Sequence, residues 1–255
     1  MLLLLLIPCF LYAQKNEFSN YKIEEFTFQG HEAKVVFPTQ PNKGRNWIWR
    51  ARFWAHQPQL DRALLEKGFH LVHVDVTDLF GGPEAVQLWN DFYEHCKKKF
   101  KLNQKVVLEG MSRGGLIIYN WAAQNTDKVA CIYADAPVCD IKSWPAGLYK
   151  GKGSKSRWEL CKKAYGLTSD KDVKDFKAGG AIYNAPIVAK AKIPVIHVCG
   201  LADQIVPYEE NTAIIEKLFQ KEGGMIKIIK KEAVGHHPHC LKDPTPIVDF
   251  ILKAI

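Results

Sequence analysis

From Trp47 onward the chain alternates short apolar runs with amphipathic ones, and that rhythm leaves few architectures open. Trp47 to Trp49 reads as a short aromatic strand, followed by a helix through Leu60, Ala63, Leu64 and Leu65 that ends at Gly68. Phe69 to Val76 is a buried strand. Pro83 then opens a helix whose Val86, Trp89, Tyr93 and Cys96 recur every three or four positions, the spacing of one core-facing stripe. Val106 to Leu108 is the next strand and Leu116 to Ala123 the next helix. Val129 to Tyr133, Pro194 to Cys199 and Ile226 to Ile229 supply further strands, with helices through Ile214, Leu218 and Phe219 and through Ile247, Phe250 and Ile251. Ahead of this rhythm, Tyr21 to Phe28 and Ala33 to Phe37 flank a turn at Gln29 and Gly30 and read as an antiparallel hairpin, with a register shift at Glu24 and Glu25 that predicts a bulge. A hairpin followed by alternating strands and helices implies an α/β fold, its sheet mostly parallel and covered by helices on both faces. With 255 residues and 47% hydrophobic content, one such domain is expected.

Two stretches fall outside the rhythm. Met1 to Ala13 is almost uninterrupted apolar side chain, too short for the about 20 residues a spanning helix needs and within the roughly 7 to 15 of a signal peptide's apolar region. We therefore expect a signal peptide over 1–13, a folded domain over 14–255, a secreted or periplasmic location and no transmembrane segment. Six cysteines then remain, with Cys139 and Cys161 the expected disulfide because both fall at or near the second irregular stretch. That stretch, Lys142 to Lys177, reads as a basic insertion or small cap after strand six. It holds ten Lys or Arg against four acids, so +6 of the chain's formal +8 lies there, either as a solvated surface or at the mouth of a site. A basic balance favours anionic partners such as nucleic acid, a membrane surface or an acidic polymer. Without an RNA- or DNA-binding motif, and with export expected, nucleic acid ranks behind an acidic polysaccharide.

Gly110-Met111-Ser112-Arg113-Gly114 joins the strand Val106 to Leu108 to the following helix, the context that a sharp strand-to-helix turn around a nucleophilic serine requires. A serine hydroxyl is a poor nucleophile until a base takes its proton, and the base needs an acid to fix its tautomer. Asp203 follows the strand Pro194 to Cys199, and His236 follows the strand Ile226 to Ile229 within Gly235-His236-His237-Pro238-His239. Ser112, Asp203 and His236 thus stand in chain order at the ends of three strands, with His237 as the alternative base. The N–H groups of Arg113 and, after the third strand, Arg50 are the expected oxyanion donors. The guanidinium groups of Arg50, Arg52 and Arg113, with His237, are candidate substrate ligands, since guanidinium pairs bidentately with carboxylates. No HExxH and no CxxC occurs, so neither a zinc site nor any cofactor is indicated, and His237-Pro238-His239 reads as a structured loop.

These motifs resemble the α/β-hydrolase superfamily over nearly all of the mature chain. More narrowly, Trp47-Ile48-Trp49-Arg50-Ala51-Arg52-Phe53, Glu109 to Gly115 and Gly235 to His239 resemble secreted bacterial carbohydrate-esterase-like hydrolases, some of them pectin methylesterase-like. The resemblance implies a serine esterase acting on methyl or acetyl esters of pectic polysaccharides. No HGGG occurs at the oxyanion loop, a departure from one common superfamily pattern. Two alternatives stand beside it. One is a serine peptidase of the same fold, although 255 residues leave no room for the propeller domain that many prolyl-oligopeptidase relatives carry. The other is a polysaccharide-binding protein whose triad no longer turns over.

Overall fold

The computed structural model describes residues 17–255, so the expected signal peptide lies outside the described residues. Strand β1 (Lys22–Phe28) pairs antiparallel with β2 (His31–Phe37), as the period-two patterning predicts. The bulge expected at Glu24 and Glu25 is not formed, because the pairing runs unbroken from Lys22↔Phe37 to Phe28↔His31. The apolar parity changes there for another reason: both faces of the strand are covered. Ile23 packs with one apolar cluster, and Phe26 and Phe28 with the other.

The remaining strands are β3 (Trp47–Arg50), β4 (His70–Val74), β5 (Val106–Met111), β6 (Val129–Asp135), β7 (Val195–Gly200) and β8 (Ile226–Lys231). They complete a sheet in the order β1-β2-β4-β3-β5-β6-β7-β8. β2 meets β4 antiparallel, and every later pairing is parallel. β3 to β7 are buried along their whole length, as a parallel sheet covered on both faces requires. This is the α/β-hydrolase fold that the alternation implies.

Helices α1 (Gln59–Glu66), α2 (Pro83–Phe100), α3 (Gly114–Gln124), α4 (Lys155–Ala164), α5 (Asp170–Asp175), α6 (Ala181–Lys190), α7 (Thr212–Lys221) and α8 (Thr245–Ala254) supply the layers. α1 and α8 cover one face with Leu60, Leu64, Ile247 and Ile251. α2, α3, α6 and α7 cover the other, where the Trp49 and Trp89 rings stack at 3.9 Å and Trp121 meets Trp49 edge-on at 5.5 Å. The basic insertion is built into the fold. Trp158, Cys161 and Val173 from α4 and α5 pack with Phe80, Leu116, Val138 and Val206 in a third cluster at the carboxyl end of the sheet. Glu210 ties it down, accepting hydrogen bonds from Ser143 Oγ at 2.8 Å and the Gly151 N–H at 3.2 Å. The expected Cys139–Cys161 bridge is absent: all six described cysteines are free and buried, and these two sit in different clusters. Among the described residues no helix is long and apolar enough to cross a membrane.

Beneath the site a cation is locked into the core. Arg50, fully buried at the end of β3, pairs with Asp61 of α1 and, at 3.2 Å, with Glu109 of β5. It also donates to the carbonyls of Phe53, at 3.1 Å, and His56, so one guanidinium holds both the sheet and the loop that leaves β3. Burial raises the Glu109 carboxyl well above its usual pKa and the neighbouring Asp61 adds to that, with Arg50 pulling the other way. A carboxyl whose folded pKa exceeds its unfolded one stabilises the fold at low pH, and that contribution is lost as pH rises through the folded value. Glu109→Gln keeps the shape and removes the titration. Its stability relative to the parent chain, measured by urea unfolding, is expected to rise from about pH 5 to pH 8, and a flat difference would contradict this account.

Candidate active site

Ser112 occupies the turn between β5 and α3 with φ +50°, a left-handed conformation that costs a non-glycine residue about 1–3 kcal/mol unless its surroundings impose it. They do so through the backbone. Its N–H donates to the Asp135 carbonyl at 2.8 Å, and its own carbonyl accepts from the N–H groups of Gly115 and Val138, each at 2.9 Å. The flanking glycines let helix and strand close around it. A Cβ on Gly110 would lie 2.6 Å from Ile118 Cδ1, and one on Gly115 would lie 2.7 Å from Pro137 Cβ.

Two loops bring the partners to this turn. Ser112 Oγ is 2.9 Å from His236 Nε2, and His236 Nδ1 is 2.7 Å from Asp203 Oδ2. The other Asp203 oxygen accepts the N–H groups of Ile205 at 2.8 Å and Val206 at 2.9 Å, which fixes the carboxylate plane. The two loops are bonded to each other as well, through Ala202 N–H to the Val234 carbonyl at 2.9 Å. Their close approach depends on Gly200 at the end of β7, where any Cβ would collide with the backbone oxygens of Val234 and Gly235.

A second carboxylate–imidazole pair lies alongside, unread in the sequence. Asp135, fully buried at the end of β6, accepts from His239 Nδ1 at 2.7 Å, Cys240 N–H at 2.8 Å and Tyr133 OH at 2.9 Å. The His239 ring meets those of His236 and His237 edge-on at 4.9 and 4.8 Å, and His56 closes the group at 6.1 Å from His239. One donor atom from each of His236, His237 and His239 lies within 4.8 Å of the others, a proximity that the loop reading of His237-Pro238-His239 does not contain. Burial first, then the neighbouring imidazoles, holds His237 below the usual imidazole pKa, and burial with His239 does the same for His56.

The candidate arginines separate into two kinds. Arg50 is no substrate ligand, because its guanidinium is sealed in the core by Asp61 and Glu109. Nor does it supply the oxyanion N–H in this geometry. Arg50 is paired with Glu109 inside the sheet, and Ala51 N–H is spent on the Glu109 carbonyl at 2.9 Å. The next N–H, that of Arg52, makes no hydrogen bond among the described residues and lies 4.0 Å from where a Gly114 Cβ would sit. The Arg113 N–H, directly after Ser112, is likewise unbonded among them. The Arg113 guanidinium lies 5.6 and 5.9 Å from the rings of Phe80 and Trp144, 91% buried, with one nitrogen making no hydrogen bond and Asp78 at 3.9 Å. Burial, then Arg52 and Arg157, pushes its pKa down to about 10. His237 is exposed at the rim. Trp144 and Arg157 come from the basic insertion, which therefore stands at the mouth of the site.

Comparison with known proteins bears on this geometry. The family model described as Peptidase S9, prolyl oligopeptidase family, matches residues 91–249, which include Ser112, Asp203 and His236. The fold is similar to Porphyromonas gingivalis dipeptidyl peptidase 4 (TM-score 0.67, 13% identity, 92% of this chain and 35% of that one). It is also similar to the acylaminoacyl peptidase of Pyrococcus horikoshii (0.65, 13%, 85% and 37%) and to TT1662 of Thermus thermophilus (0.61, 14%, 92% and 98%). At these identities the likeness is one of fold, and the chain spans little more than a third of the two peptidase chains. No curated protein matched in sequence.

The approach of the two loops over Gly200 can be tested directly. Gly200→Ala is expected to cost about 1–3 kcal/mol in urea unfolding, because backbone oxygens must move to admit the methyl group. Unchanged stability would show that the loops are not packed as described.

Proposed function

The chain belongs to the prolyl oligopeptidase family of serine hydrolases, and on that footing we propose that it is a serine peptidase acting on short peptides through an acyl-enzyme at Ser112. The observation that carries this reading is the continuous hydrogen-bond relay from Ser112 Oγ to His236 at 2.9 Å and on to Asp203 at 2.7 Å. Ser112 Oγ attacks the carbonyl carbon while His236 Nε2 takes its proton. Asp203 holds the imidazole in the tautomer with Nδ1 protonated and stabilises the imidazolium. The N–H groups of Arg113 and Arg52 receive the oxyanion. As the C–N bond breaks, His236 returns the proton to the leaving amine. Water, activated by the same imidazole, then releases the acid.

One observation favours a second reading, hydrolysis of carbohydrate esters such as the methyl or acetyl esters of pectic polymers by the same steps. The Arg113 guanidinium, set beside the stacked rings of Phe80 and Trp144 with Arg52 and Arg157 close by, supports recognition of a carboxylate beside the scissile bond. A uronic acid chain carries that group at every residue. An acidic side chain would offer it to a peptidase.

Ser112→Ala is expected to lose labelling by a fluorophosphonate and to lower turnover by roughly 10⁶-fold, with an unchanged far-ultraviolet circular dichroism spectrum. Retained turnover would sink the mechanism. The substrate question is decided by comparing aminoacyl-nitroanilides with p-nitrophenyl acetate and with methanol release from methylated pectin. Peptidase action predicts the first as the preferred substrate. Arg113→Gln, which keeps the backbone N–H, is expected to lower kcat/KM about tenfold or more on carboxylate-bearing substrates and much less on neutral ones. Equal losses on both would remove the carboxylate role.

A further inference from the structure

We infer that His236, His237 and His239 form a site for a divalent cation of the zinc type, and that filling it switches the Ser112 relay off. The donor atoms are already gathered, one from each ring within 4.8 Å of the others. Zinc–nitrogen bonds of about 2.0–2.1 Å ask the three nitrogens to draw in by roughly 1.5 Å. The rings stand edge to face, with interplanar angles of 78°, 81° and 83°, and His237 is exposed and makes no hydrogen bond among the described residues. That ring is free to rotate toward the other two.

What distinguishes this cluster from a chance grouping of histidines is its backing. Imidazoles that ligate metal usually donate their second ring nitrogen to a carboxylate, which fixes the tautomer and raises the basicity of the ligating nitrogen. Two of the three rings have that arrangement. His236 Nδ1 is 2.7 Å from Asp203, and His239 Nδ1 is 2.7 Å from Asp135. Both carboxylates are buried and, among the described residues, neither is paired with a Lys or Arg, so a cation in front of them meets negative charge that no described cationic side chain offsets. Three neutral imidazoles suit zinc and leave a fourth position for water.

The consequence for catalysis follows from one lone pair. His236 Nε2 either accepts the Ser112 hydroxyl or binds the cation, and it cannot do both. The cation therefore competes with the proton that the reaction must move. The switch rests on the hydrolase reading, whereas the metal site does not.

The test is a titration of Zn²⁺ against a chromophoric chelator with the full chain, its Ser112→Ala variant and its His237→Gln variant. One tightly bound ion per chain is expected for the first two, with affinity lowered about tenfold or more in His237→Gln. Absence of binding at roughly 0.1 mM free Zn²⁺, or equal affinity in His237→Gln, overturns the site. Hydrolysis by the full chain and by His237→Gln is then followed against Zn²⁺, each normalised to its own zinc-free rate. Half-inhibition should track the measured affinity, move with it in His237→Gln and reverse with EDTA. Full activity at saturating zinc overturns the switch while the titration still decides the site. A chain that hydrolyses no substrate is read from the titration alone, which separates failure of the hydrolase reading from failure of the metal site.

Discussion

A serine held at φ +50° between a strand and a helix is the constraint to which the rest of the carboxyl end is fitted. The turn exists only if α3 descends almost onto β5, which requires no side chain at 110, and lies against Pro137 and Val138 after β6, which requires none at 115. It also requires partners for the backbone groups the turn exposes. These come from the end of β6, through the Asp135 carbonyl, and from the segment after it, through the Val138 N–H. The parallel sheet then delivers the loops after β7 and β8 to the same edge, where Gly200 lets them lie against each other. Each step spends conformational freedom early in the chain to place two side chains, Asp203 and His236, that arrive late in it.

Two arginines near the site show opposite answers to the same problem of placing a charge out of water. Arg50 is matched by two carboxylates and by backbone carbonyls, so its charge is consumed in holding β3, β5, α1 and the loop after β3 together. Arg113 is less completely buried and, among the described residues, has one ion pair, to Asp78 at 3.9 Å, a carboxylate that Arg157 also engages at 3.2 Å. Aromatic faces supply part of the missing stabilisation. The net positive charge of the chain therefore matters less than the position at which counter-charge is withheld.

Much of this architecture is legible in residue order. The strands and the helices flanking them announce themselves by period, and the Gly110 to Gly114 turn by composition, because local sterics govern both. The misses have physical causes too. α6 hides because it is apolar on several sides and carries Pro186, so it has no clean stripe. α4 is masked by its charged residues, since only Trp158 and Cys161 along it are buried. The fate of Arg50 is decided by Asp61 and Glu109, 11 and 59 positions away, a separation at which spacing carries no information. The same holds for Asp135 and His239, 104 positions apart, although an acid just past the strand Val129 to Tyr133 is a signal that could have drawn attention to it.

That last pair couples two segments of the site that are far apart in the chain. The Asp135 carboxylate sits at the centre of the sheet edge with no solvent to serve it, and two of its three donors, His239 and Cys240, belong to the last stretch of chain. Without that stretch, the strand bearing the carbonyl that holds Ser112 would end in a buried carboxylate served by Tyr133 alone, which favours opening of the edge over closure. The turn that carries Ser112 and the loop that carries His236 thus lean on one strand end, the first through the Asp135 carbonyl and the second through His239 and Cys240 on its carboxylate.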